Sequence, residues 1–185
     1  MDAIVAIHSR KSVKQFSGRP VEREKIEQLL DAGVQAPNHH KVRPWRLVVI
    51  SGTARERLGD VMAEAFHRRF PDLPPEALQK ERAKPLRSPV IIAVGVDEPS
   101  EPKVLEIENM CAAAAACENI LIAAEALGLG GHWRTGDAAR DPDIKRFLGY
   151  SEKQPLIGFL YIGYPQVETP PPARPGYEDR TRWLD

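Results

Sequence analysis

Pro89–Asp97 (PVIIAVGVD) is apolar almost throughout. The run is short, rich in β-branched residues and bounded by proline and aspartate, so it reads as a strand buried on both faces. Such a strand needs an apolar layer on each side, and the flanking sequence supplies helices to build both. Downstream, a helix from about Val104 to Leu127 closes on Gly128, Gly130 and Gly131. Asp141-Pro142 provides the N-cap and first helical position of a short helix ending at Gly149. Leu156–Tyr164 (LIGFLYIGY) is a last buried strand. Upstream, Pro71, Pro74 and Pro75 break the chain before a charged helix near Glu76–Lys84. Before them, Thr53 and Glu56 have the form of a capping box. It opens a helix to about Phe70, with Leu58, Val61, Met62, Ala65 and Phe66 on one face.

Trp45–Ser51 (WRLVVIS) is a further strand. The spacing of Ile26, Leu29, Leu30, Gly33 and Val34 predicts a helix over Glu22–Gln35, ended by Pro37. Asp2–Ser9 is a short helix with Ile4, Val5 and Ile7 apolar. The alternation is mixed α/β, with long helices, few strands, no repeat and no linker. A single domain over 1–185 is expected. Residues 166–185 form a proline-rich extended tail that packs along a surface or a partner.

The 185 residues hold 26 Lys plus Arg and 26 Asp plus Glu, so the formal net charge is zero. Nucleic-acid binding leaves a basic imbalance, and none is present. The 42% hydrophobic and 28% charged content is that of a globular protein able to bury its own core without disulfides or a structural metal. Cys111 and Cys117 point about 120° apart on a helix, so both read as small buried hydrophobes. The N-terminus lacks a basic stretch followed by an apolar run, and Glu118, Asn119 and Glu125 interrupt the Met110–Gly131 run. The expectation is a cytoplasmic protein without a membrane span.

Three segments can carry chemistry. Arg10-Lys11-Ser12 follows a helix directly and can clamp a phosphate through charge-assisted hydrogen bonds, or be a solvated basic turn. Ala36–Trp45 is a polar loop fenced by Pro37 and Pro44. Its adjacent His39 and His40 lack metal-ligand spacing, so a His donating to a ring or ribityl oxygen is the stronger reading, against a plain surface loop. In Leu129–Gly136 (LGGHWRTG) the glycines let backbone approach a flat ligand, with Trp133 as a wall and Arg134 as a fixed charge. A Gly-rich helix end followed by a strand with a core Trp accounts for the same residues. No G-x-G-x-x-G, Walker lysine loop or G-x-S-x-G elbow is present, and no catalytic acid–base pair or metal site is assigned.

Taken in order, Arg10-Lys11-Ser12, Ala36-Pro37 and Pro44-Trp45 resemble the nitroreductase superfamily. His39, Gly130–Gly136 and the terminal Gly158–Gly163 strand resemble its short, single-domain NAD(P)H nitroreductase branch, over residues up to about 166. The resemblance implies an α+β fold, with a central mixed, mostly antiparallel sheet wrapped by helices in an intertwined homodimer. It also implies FMN at the subunit interface. Arg10, Lys11 and Ser12 would hold the FMN phosphate and ribityl chain. Gln35 and His39 would reach the partner's flavin, and Trp133, Arg134 and Thr135 would line the flavin of their own subunit. The implied activity is ping-pong transfer of hydride from NADH or NADPH through flavin N5 to small oxidised acceptors such as nitroaromatics or quinones. A flavin-binding protein that stores, senses or delivers FMN without turnover is the alternative. Asn38 and Lys41 in the loop, and Arg43 before Pro44-Trp45, depart from the broad-family pattern. Arg174, Arg180 and Arg182 in the tail have no assigned contact.

Overall fold

The computed structural model describes residues 1–184; Asp185, the last residue of the expected tail, lies outside the described residues. Four strands, β1 (Trp45–Ser51), β2 (Val90–Val96), β3 (Gly130–Arg134) and β4 (Leu156–Gly163), form one sheet in the order β1-β2-β4-β3. Every neighbouring pair is antiparallel, with Ile50 opposite Ile91, Ile91 opposite Tyr161 and Trp133 opposite Leu160. The expected mixed character reduces to a single parallel bridge, Ser12 to Gly131. All residues of β2 are buried, as its composition requires.

Among the described residues there are six α-helices, α1 (Ala3–Ser9), α2 (Arg23–Val34), α3 (Ala54–Arg69), α4 (Pro75–Arg82), α5 (Glu106–Ala126) and α6 (Pro142–Phe147), with α1 packed on α5 and α4 on α3. Side chains alternate across a strand. Val90, Ile92, Val94 and Val96 therefore meet α2 and α5, whereas Ile91 and Ala93 meet Leu58 and Met62 of α3 and Ile144 of α6. Full burial of such side chains stabilises the fold by roughly 1.5–3 kcal/mol each. Among the described residues α5 alone has the length and apolarity to cross a membrane. Here it is the core helix, with Ala112, Ala113, Ala116, Cys117 and Ile120 buried in the same cluster as the sheet. The small side chains let α2 approach: a Cβ on Gly33 would lie 2.9 Å from the Ile120 side chain. Ala112, Ala113 and Ala116 thus serve packing inside the chain.

Three local expectations are corrected. Thr53 already has helical dihedrals, φ −67° and ψ −17°, and its side chain caps nothing, because an N-cap needs extended backbone. Cys111 is exposed on the outer face of α5, while Cys117 is buried and its thiol is pushed up to about 12, chiefly by burial. The charged helix begins at Pro75 and gives way to a tight turn over Lys84–Arg87. The tail runs back along its own N-terminal segment. Gln166 N donates to Gln15 O at 3.0 Å, Lys11 Nζ donates to Thr169 O, and Arg174 Nη2 donates to Arg10 O at 2.7 Å.

Candidate cofactor-binding site

Asp2 caps α1, accepting from Ile4 N and Val5 N, and the helix ends by delivering Arg10, Lys11 and Ser12 to the open edge of β3. Val13 N donates to Gly131 O at 3.0 Å, and His132 Nδ1 lies 3.2 Å from Val13 O. Glycine is required here. A Cβ on Gly130 would sit 2.5 Å from Val13 Cγ2, and one on Gly131 2.4 Å from Leu121 Cδ2. The close approach that the glycines permit is therefore made by the N-terminal segment and α5, not by a ligand.

Because Gly131 turns its carbonyl to the open edge, the two-residue alternation of an antiparallel pair turns the Trp133 backbone groups the same way. Ser12 pairs with Gly131, and Thr135 lies about 13 Å further along at the rise of a strand. The side chains of the Trp-Arg-Thr run divide between the two faces of the sheet. Trp133 packs on the α2/α5 core and its Nε1 donates to Ile157 O at 3.3 Å. Arg134 lies on the other face, its guanidinium 5.7 Å from the Tyr161 ring centre. Thr135 lines a cleft of about 170 Å³ with Lys84, Arg134 and Tyr161.

Arg10 is held at one edge of its guanidinium. Its Nε is 3.1 Å from Glu118 Oε1 of α5, yet it is buried and poorly aligned, so it has no hydrogen-bond partner. Lys11 and Arg174 converge on the same corner through the tail bonds described above. The sequence gives no sign of Glu118 and leaves Arg174 without a contact, because pairings across 108 and 164 residues leave no local signal. Nor does it show the cations around His132. Burial first, then Arg134, Lys14 and Arg87, lower the pKa of that ring, which favours its neutral form.

Gln35 and His39 form a second group, away from the first. Gln35 caps α2 and reaches Asp31 Oδ1 only at 3.5 Å. His39 is exposed in a tight turn, its Nδ1 3.7 Å from Glu108 Oε1, whose other carboxylate oxygen is buried without a partner. The following backbone is strained: His40, Lys41 and Arg43 have φ of 50°, 56° and 50°. Left-handed backbone costs a non-glycine residue roughly 1–2 kcal/mol. Offsetting bonds run from Arg43 N to Asn38 Oδ1 (3.0 Å) and from Asp97 N to Pro44 O (2.7 Å). Glu108 and Glu118 are about 15 Å apart along α5 at the helical rise. Within one chain, the groups of Arg10 and His39 therefore stand at separate stations on the same helix.

A profile of the nitroreductase family matches residues 7–164. The Escherichia coli K12 protein named "Putative NAD(P)H nitroreductase YdjA" is 33% identical over 168 residues, 91% of this chain and 91% of that protein. A nitroreductase-like family protein from Bacillus cereus superposes with a TM-score of 0.86 at 25% identity, covering 100% of this chain and 97% of its own. A Bacteroides fragilis nitroreductase solved with bound FMN shares the fold, with a TM-score of 0.76 at 19% identity and 100% of both chains covered. On the extent of these matches and the placement of its motifs, the chain belongs to the nitroreductase family.

Proposed function

We propose that the protein is an FMN-dependent NAD(P)H oxidoreductase that works as a homodimer. One observation carries the reading: Ser12 bridges Gly131 at the open edge of β3, and two residues before it Arg10 keeps a buried Nε, 3.1 Å from Glu118 Oε1, that lacks a hydrogen-bond partner. Two cations and a hydroxyl suit a phosphate. The strand edge leading to Trp133, Arg134 and Thr135 extends about 13 Å from that corner, in keeping with a ring system attached to the phosphate by a ribityl chain. FMN held there would supply two-electron transfer between NADH or NADPH and a small oxidised acceptor such as a nitroaromatic or a quinone. The chain's own residues bind, orient and balance charge. Arg10, Lys11 and Ser12 hold the anionic tail, while Trp133 backs the strand edge and excludes water from its α5 side. Arg134 and Thr135 border the cleft on the opposite face.

The second subunit is needed to unite the two stations. Gln35 and His39 reach the flavin held by the partner, as the separation along α5 favours. The outer face of α5 carries Ile107, Cys111, Ala114 and Glu118, one stripe at helical spacing, with Ile107 62% exposed. Alongside it α1 exposes Ile4, Val5 and Ile7. The exposed apolar side chains of α1 and Ile107 are suited to burial against a second copy.

Arg10→Ala tests the phosphate corner. Loss of a charge-assisted hydrogen bond, roughly 1.5–3 kcal/mol, weakens FMN retention by about 10- to 100-fold. Riboflavin, which lacks the phosphate, binds wild type and variant alike. Unchanged FMN occupancy in purified Arg10→Ala would contradict the assignment.

A further inference from the structure

The loop after α2 presents more charge than the flavin contact needs. His39 is matched by Glu108, at 3.7 Å. The side chains of Lys41 and Arg43 are exposed and have no ion pair or hydrogen bond among the described residues. They stand on backbone at φ 56° and 50°, next to His40 at 50°, between Pro37 and Pro44. A merely solvated loop would relax from these dihedrals, and strain held by surrounding bonds marks a segment with a task.

Resting on the reading that His39 meets the partner's flavin, we infer that Lys41 and Arg43 grip the phosphates of the nicotinamide dinucleotide that donates hydride. The donor must lay its nicotinamide beside the flavin ring, and its pyrophosphate lies one ribose further out. Lys41 and Arg43 follow His39 by two and four residues, which keeps their backbone within about 7 and 14 Å of the His39 contact. They carry fixed positive charge, while the loop's nearest carboxylates are engaged elsewhere: Glu108 faces His39, and Asp97 pairs with Arg46. The FMN phosphate has its own cations at Arg10 and Lys11, which leaves this pair for a second anion. Lys41 delivers a point charge and Arg43 a planar fork, a combination suited to successive phosphates.

The test uses FMN-loaded wild type and the double variant Lys41→Asn/Arg43→Asn, since asparagine tolerates left-handed backbone. Three donors are compared: NADPH, NADH and the phosphate-free 1-benzyl-1,4-dihydronicotinamide. The variant is expected to keep its FMN and its rate with the phosphate-free donor, while KM for NADPH rises at least tenfold and loses its salt dependence. An equal rise for NADH assigns the pair to the pyrophosphate, and a rise larger for NADPH assigns it to the 2′-phosphate; either supports the inference. An unchanged KM for both dinucleotides overturns it, as does equal loss with the phosphate-free donor or loss of FMN, which would make the loop part of the flavin site. A wild type that holds no FMN removes the underlying reading and the inference with it.

Discussion

The carboxylate of Glu22, at the start of α2, accepts a 2.6 Å hydrogen bond from the Tyr164 hydroxyl just beyond β4. Lys25 Nζ donates to the same hydroxyl, and Arg19 lies 3.9 Å over the Tyr164 ring. The Tyr164 bond first, then the backbone and Arg19, hold the Glu22 pKa at about 2, below its ordinary 4.5. A depressed carboxylate contributes its stability in full above the unfolded value and loses it as pH falls through the folded one. Tyr164→Phe is expected to lower the unfolding midpoint at pH 7, and its deficit against wild type narrows between pH 4.5 and 2. A deficit independent of pH would contradict the pairing. Single residues were the hardest scale to foresee. His40, Lys41 and Arg43 adopt dihedrals for which glycine is the usual sequence signal, and no glycine stands there. Arg10-Lys11-Ser12 was recognisable as a cation cluster, but its partner Glu118 is set by tertiary packing alone.

The elements were more legible, because period and punctuation are local. Trp45–Ser51 is a strand with the bounds its composition suggested, and the fully apolar Val90–Val96 lies at the buried centre of the sheet. Asp141-Pro142 opens α6 as its cap chemistry requires, with Asp141 Oδ1 accepting from Asp143 N (3.0 Å) and Ile144 N (3.3 Å). Arg68 of α3 adds an ion pair to the same carboxylate at 3.2 Å. Asp141→Ala should therefore destabilise the protein by about 1–2 kcal/mol in denaturant unfolding. Asp141→Asn keeps the cap and recovers most of that loss; equal loss in both variants would shift the weight to the ion pair. One element misled for a physical reason. Thr53 has the right neighbours for a capping box but sits inside the first turn.

At the scale of the molecule, the antiparallel β1-β2-β4-β3 sheet brings the N-terminal corner and the Trp-Arg-Thr run to one edge, although some 120 residues separate them. The resemblance anticipated that meeting. It did not anticipate that Trp133 and Arg134 would part to opposite faces, which follows from strand alternation once β3 exists. The same geometry leaves His39 about 15 Å along α5 from the Arg10 station, so the proposed site needs two chains to close. Beyond Arg174 the tail exposes Tyr177, Trp183 and Leu184, apolar surface available to such a partner. The most direct test is the absorption spectrum of the purified protein, followed anaerobically on adding NADH or NADPH. The account predicts yellow protein with one FMN per chain in a two-chain particle, bleached by a reduced nicotinamide. Colourless protein that takes up no added FMN would contradict it.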